Sequence, residues 1–143
     1  MEEDWYEREQ LHFAANEGDL PRVKRLIDAG YDVNAFDDSL RYTALHHAAK
    51  GEFLEVAQYL LAQGADVNAH DLDTIGETPL GAVAQSCSVD MARLLLDAGA
   101  DPTIEGWMRL TAIDRARERK KEEGQEVYEL LVATARRKFG YRH

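Results

Sequence analysis

The sequence predicts an all-α solenoid of four stacked helix-loop-helix repeats, and three landmarks that keep step along the chain predict it. The first is a short segment that recurs four times: Gln10-Leu11-His12-Phe13-Ala14-Ala15, Thr43-Ala44-Leu45-His46-His47-Ala48-Ala49, Thr78-Pro79-Leu80-Gly81-Ala82-Val83-Ala84 and Thr111-Ala112-Ile113-Asp114-Arg115-Ala116. Its apolar positions Leu11, Leu45, Leu80 and Ile113 are spaced by 34, 35 and 33 residues. The second is a glycine (Gly30, Gly64, Gly99) lying 19 residues after each of the first three. The third is an acidic turn: Asp32-Val33-Asn34-Ala35, Asp66-Val67-Asn68-Ala69 and Asp101-Pro102-Thr103. A period in this range marks a repeat architecture whose units cannot bury their apolar faces alone and therefore stack.

Each unit reads in order as two short helices and a loop. Thr43, Thr78 and Thr111 stand where a side-chain oxygen can cap a first helix, and paired small residues such as Ala48 and Ala49 allow close helix approach. The second helices carry apolar residues at helical spacing: Val23, Leu26 and Ile27; Val56, Leu60 and Leu61; Met91, Leu94, Leu95 and Leu96; Val127, Leu130 and Leu131. Leu60, Leu95 and Leu130 are the expected buried leucines of successive second helices. Gly30, Gly64 and Gly99 end their helices, since the left-handed position after a helix favours glycine. Residues 1–9 contain five acids and suit a solvated first layer. The last unit carries extra residues around Arg117 to Gly124, about one helical turn, and polar residues cover its outer side as a terminal repeat requires.

The unit Thr43 to Asn68, with its Leu-His, paired alanines, Leu-Leu-x-x-Gly-Ala-Asp and Val-Asn, closely resembles the ankyrin repeat, and the resemblance covers roughly residues 9 to 135. It implies helix-loop-helix layers joined by β-turn fingers in a slightly curved stack, with repeats at about 9–38, 39–73, 74–105 and 106–135 and a basic tail at 136–143. Three departures stand out. The loop from Asn34 to Thr43 is one residue longer than the family norm, and that from Asn68 to Thr78 two longer. The glycine between helices is Gly18 in the first repeat, is displaced to Gly51 in the second, and is replaced by Cys87 in the third.

Composition excludes several function classes. The chain has 143 residues, enough for one ordinary domain. Its net charge of −10, from 27 acids and 17 bases, opposes general nucleic-acid binding. One cysteine excludes an internal disulfide and a multi-cysteine zinc site. The aliphatic clusters are too short to span a bilayer, and the acidic start, Met1-Glu2-Glu3-Asp4-Trp5, lacks the layout of a secretory signal. A cytoplasmic location is expected.

Nothing nominates an enzyme, a cofactor site or a metal site. By the family resemblance, His12 and His46 bond backbone in the neighbouring loop. His47 and His70 have no partner at zinc-ligand spacing. Cys87 sits where a turn glycine belongs and reads as a small turn or core residue. The serines Ser39, Ser86 and Ser88 lie in no nucleophile-elbow pattern, and no glycine-rich phosphate loop is present.

The expected activity is binding of a partner protein. Residues 1–105 hold 21 acids and 7 bases, whereas residues 106–143 hold 6 acids and 10 bases. Acids near the fingers, among them Asp37, Asp38 and Asp73, read either as a solvated, soluble surface or as a ledge that attracts a basic partner. Large apolar residues on the same loops favour the second reading: Phe36 and Tyr42 flank one finger, Leu72 and Ile75 occupy the next, and Trp107 and Met108 lie on the third. Matching of repeat positions to the family adds Phe13, His47, Lys50, Gln85 and Arg115 from the inner helices to the same concave face. The family includes small proteins that act as inhibitors and others that act as adaptors; a toxin-neutralising immunity protein is one form of the first. The tail, with Arg136-Arg137-Lys138 beside Phe139 and Tyr141, is the one stretch suited to nucleic acid, and it suits a helix C-terminus or the chain's own acidic ledge equally. The free protein is expected to be a monomer with no small-molecule substrate and no membrane association.

One prediction follows from the absence of metal and disulfide chemistry. Thermal unfolding with chelator or with reductant should coincide with that of the untreated protein. A lower transition after chelation would reveal a metal site using His46, His47 or His70.

Overall fold

The computed structural model describes residues 8–73, 76–119 and 122–142. Among these residues the chain forms α-helices and one 3-10 turn, with no strand. The first repeat contains α1 (Gln10–Glu17) and α2 (Leu20–Asp28), and the second α3 (Ala44–Lys50) and α4 (Leu54–Ala62). The third contains α5 (Pro79–Val83) and α6 (Val89–Asp97), and the fourth α7 (Ala112–Arg117) and α8 (Glu122–Phe139). First helices pack on first helices and second helices on second helices, so the molecule is a stack of four antiparallel pairs.

Small residues set the spacing of the inner row. Ala14, Ala15, Ala48 and Ala49 are fully buried, and Leu11, Leu45, Leu80 and Ile113 lie beside them. Val23, then Val56, Ala57 and Leu60, then Met91, Ala92, Leu95 and Leu96 complete the core from the outer row. In the last layer the register shifts by one. Leu131 and Val127 are buried, whereas Leu130 is only partly so. The extra residues before α8 move the buried leucine on, and the expectation for Leu130 is corrected to Leu131.

Caps fix where the helices begin. Thr78 Oγ1 accepts from Gly81 N at 3.0 Å and Ser88 Oγ from Met91 N at 3.0 Å. Thr111 and Asp114 cap each other reciprocally, at 3.1 and 3.0 Å, which satisfies two donors of the first turn. Gly30, Gly64 and Gly99 adopt φ of 101°, 94° and 100° after the second helices, the left-handed conformation glycine reaches without cost.

The turns between helices differ from one layer to the next. Gly18 is left-handed, and the ring of Phe53 lies against it and against Gly51; a Cβ on Gly18 would stand 2.6 Å from ring carbons. In the second repeat the left-handed residue is Glu52, with φ of 62°, rather than Gly51. Its carboxylate accepts from Ser88 N (3.1 Å) and Ser88 Oγ (2.5 Å), contacts that help offset the strained backbone. In the third repeat the turn at Cys87 is held from the next layer: Arg119 Nη1 donates to the carbonyls of Ala84 (3.3 Å) and Cys87 (2.9 Å).

The fingers are joined by asparagine side chains. Asn34 Nδ2 donates to Gly64 O at 3.1 Å, and Asn34 Oδ1 accepts from Asp66 N at 2.7 Å. Asn68 repeats the pattern on Gly99 O (3.2 Å) and Asp101 N (2.8 Å). Asp32, Asp66 and Asp101 are spent on the turns themselves, accepting from the backbone N–H two residues on at 2.9 Å in each case.

The basic segment expected as a tail at 136–143 is helical through Phe139, with Arg136, Arg137 and Lys138 in the last turn of α8, where cations offset the helix dipole. Gly140 is left-handed, and Tyr141 N donates to Ala135 O at 3.2 Å, closing the helix and bringing Tyr141 against the core.

Emptying the middle of the outer row tests this packing. Replacing Leu95 by Ala should lower stability by ~2–5 kcal/mol, read from denaturant unfolding. An unchanged midpoint would mean that Leu95 does not lie in the shared core.

Candidate functional site: the finger tips and inner helices

Each finger ends in a tight turn held from beneath by a buried or half-buried polar group. In the first, Asp37 N donates to Tyr42 O at 2.8 Å, and Asp37 Oδ1 accepts from Leu40 N (2.9 Å) and Tyr42 N (3.2 Å). Asp37 Oδ2 lies 2.6 Å from His47 Nε2. Asp37 is only 2% exposed, so its expected place on an acidic ledge is corrected: it holds the turn and His47, and it faces no partner. Burial opposes its ionisation, but the hydrogen bonds from His47, Leu40 N and Tyr42 N outweigh burial and hold the carboxyl below its usual range.

The second finger is built alike on buried Asp71. Asp71 Oδ1 accepts from Asp73 N at 3.0 Å, and Asp71 Oδ2 takes Arg41 Nε at 2.6 Å. The third finger rests on Glu77, whose Oε1 accepts from Trp107 N (2.8 Å) and whose Oε2 pairs with Arg115 Nη2 (2.9 Å). Arg115 Nη2 also reaches Trp107 O at 3.3 Å. A Cβ on Gly106 would stand 1.6 Å from Glu77 Oε1, so a larger residue there would push the carboxylate off Trp107 N.

Above these supports stand apolar side chains that are more than half exposed. Leu40 is 54% exposed, Leu72 84%, Trp107 56% and Met108 64%. Leu110 is exposed beside them. Between the first two fingers, a cavity of about 350 Å³ opens among Phe36, Asp66, His70 and Leu72.

The expected site residues divide accordingly. Leu72, Asp73, Trp107, Met108, Lys50 and Gln85 are exposed. Asp38 is exposed and paired with Arg8 at 3.2 Å. Phe13, Phe36 and Tyr42 are half-buried. The Arg41 guanidinium lies 5.7 Å over the Phe36 ring, and Tyr42 stacks on His46 at 4.6 Å with Lys50 5.4 Å above it. These two aromatic rings are thus largely engaged within the fold. His47 and Arg115 are mostly covered, each by its own carboxylate. Ile75 lies outside the described residues. Leu40 and Leu110 were missed, although an apolar residue in a polar finger loop is the same signal that marked Leu72.

The histidines are structural in geometry. His12 Nε2 lies 2.7 Å from Ala35 O and His46 Nε2 lies 2.6 Å from Glu77 O. Thr43 N donates to His46 Nδ1 at 2.9 Å, so the His46 proton sits on Nε2 and the ring is neutral. Burial pushes the His46 pKa down to about 4. The Cys87 thiol is buried and pushed up to about 11 by desolvation, which leaves it protonated and unreactive at neutral pH. Among the described residues no group of three or more His, Cys, Asp or Glu could hold a metal ion, and no helix is long and apolar enough to cross a membrane.

Comparison with known proteins agrees with this architecture. Residues 11–105 match the family model for ankyrin repeats in three copies, and the chain belongs to the ankyrin-repeat family. It is 34% identical over 113 residues to the nuclear factor NF-kappa-B p105 subunit of Mus musculus, covering 79% of this chain and 12% of that protein. It is 39% identical over 74 residues to ankyrin repeat domain-containing protein 40 of Homo sapiens, covering 52% of this chain and 20% of that protein. It is also 36% identical over 91 residues to palmitoyltransferase Hip14 of Drosophila melanogaster, covering 64% and 14%. The chain spans a fifth or less of these relatives. What is shared is the repeat region, and ankyrin repeats are protein-protein interaction modules.

His46 makes the fold sensitive to acid. Its folded pKa lies below the unfolded value of 6.5, so its contribution is full above pH 6.5 and is lost as pH falls toward 4. Urea midpoints should therefore drop between pH 7 and pH 4, by the equivalent of roughly 3 kcal/mol from this group alone. The variant His46→Gln, which cannot titrate, should start less stable and fall less steeply. Equal slopes would refute a buried neutral His46.

Proposed function

We propose that the protein is a non-enzymatic binding module that holds a partner protein against its finger tips and inner helices. The observation that carries this reading is the row of uncovered apolar side chains, Leu40, Leu72, Trp107 and Met108, standing on turns braced by Asp37, Asp71 and Glu77. Apolar groups placed on rigid supports away from the core gain nothing for the fold and lose nothing on leaving water, and such groups dominate interface energies.

The module acts by what it covers or brings together, as inhibitor or adaptor. The excess of acids in residues 1–105 favours a partner with a basic surface, and Asp38 and Asp73 are the exposed finger acids among those expected. Phe36 and Tyr42 contribute at the edge of the footprint while mainly supporting the tips. A cytoplasmic setting and a monomeric free state are consistent with one cysteine and a charged surface.

Affinity capture from the source organism, followed by titration with the recovered partner, tests the proposal. Trp107→Ala and Leu72→Ala should each weaken binding by ~1–4 kcal/mol if they are anchors, with little change in melting temperature. Asp73→Lys should mainly slow association, and added salt should mute its effect. If the tip variants bind normally and Arg93→Glu on the outer helix α6 abolishes binding, the partner lies on the opposite face.

A further inference from the structure

The asparagine ladder that joins the fingers has an open first rung. In the second finger, Gly64 O and Asp66 N are taken by the carboxamide of Asn34, and in the third finger Gly99 O and Asp101 N are taken by that of Asn68. In the first finger the same two groups are Gly30 O and Asp32 N. Their setting is the same: Gly30 is left-handed like Gly64 and Gly99, and Asn34 N is held by Asp32 Oδ1 as Asn68 N is by Asp66 Oδ1. Among the described residues, neither Gly30 O nor Asp32 N has a hydrogen-bond partner. Both residues line a cavity of about 550 Å³ walled by Arg8, Ala29, Tyr31 and Phe36.

We propose that this cavity is a second binding site, which takes the carboxamide of an asparagine presented by a segment of another protein. A primary amide carries a donor and an acceptor side by side, which matches Gly30 O and Asp32 N together. A carboxylate lacks the donor and is opposed by Asp32 and Asp38 nearby, and an ammonium lacks the acceptor. The rings of Tyr31 and Phe36 flank the position and select an apolar neighbour to the asparagine, as Val33 neighbours Asn34 within the chain. A second copy of this chain does not supply the group. Asn34 and Asn68 are already engaged, Asn16 stands within helix α1 rather than in a finger turn, and the last finger carries Thr103 in the corresponding place, with its hydroxyl bonded to Asp101 Oδ1 at 2.6 Å. This edge meets the proposed finger-tip surface at Phe36 and Asp38 but contains none of Leu40, Leu72, Trp107 and Met108, so the two proposals are tested by different residues.

The probe is a blocked peptide with the sequence of residues 31–36, Tyr-Asp-Val-Asn-Ala-Phe, which contains the natural occupant of the next rung. It is titrated into the isotope-labelled full chain, followed by amide chemical shifts. Saturable shifts should centre on Gly30, Tyr31 and Asp32, and Asn34→Leu in the peptide should weaken binding by about tenfold. Equal binding of the two peptides, shifts confined to Leu40, Leu72 and Trp107, or no shift at roughly millimolar peptide would each overturn the proposal.

Discussion

A pair of helices seven to nine residues long has too little apolar surface on either side to stand alone, and this shortage shapes the whole molecule. Each layer hides its face only by lying on the next, so the buried groups (Leu45, Leu60, Leu80, Met91, Leu95) come from successive repeats rather than from one central core. Close approach in the inner row needs alanines, with Leu11, Leu45, Leu80 and Ile113 packed beside them, and further large side chains come from the outer row. Among the described residues, the first and last layers each have one face without a neighbouring repeat. At the C-terminal end the long helix α8 and Tyr141 cover what the third layer leaves.

The same stacking explains why the acids are less available than their number suggests. A loop that projects from a stack must satisfy its own backbone, because no strand or helix does it. Asp32, Asp66 and Asp101 accept from their own turns, and Asp37 and Asp71 lie beneath the tips. Glu77 is divided between Arg115 and the Trp107 amide. Much of the negative charge is therefore structural in position. What the fingers present outward is apolar, and the exposed acids surround it.

Most of the fold was legible because helix period, capping residues and terminal glycines are local signals. The threonine caps and the left-handed Gly30, Gly64 and Gly99 needed only neighbours in sequence. Which candidate residues are exposed was legible only in part, for a physical reason. Asp37 and Asp38 are adjacent and alike, yet one is buried and the other paired at the surface with Arg8, and the difference is made by His47 and by the direction the loop turns. Whether an acid lies under a turn or beside it depends on contacts about ten to thirty residues away, such as Asp37 with His47 or Asp71 with Arg41. The shift from Leu130 to Leu131 likewise comes from an insertion whose packing the periodicity alone does not show. Glu52 holds the left-handed position with its carboxylate bonded to Ser88 of the next repeat, a contact that no local signal shows.

Strain at the tips completes the link from packing to binding. Arg41, Met108 and Arg109 all adopt left-handed backbone, with φ of 56°, 60° and 59°, at positions where no glycine is present. A non-glycine residue keeps that conformation only when its surroundings hold it, and here the surroundings are the buried carboxylates. Arg41 is tied to Asp71, and the turn at Met108 is gripped through the backbone N–H and C=O of Trp107 by Glu77 and Arg115. Relaxing either turn would release the strain but break those bonds. The tips are consequently held outward before any partner arrives. Association with a preorganised loop loses less conformational entropy than association with a floppy one, so in the proposed mode of binding the ion pairs that look remote from the surface contribute by keeping Leu72, Trp107 and Met108 in place.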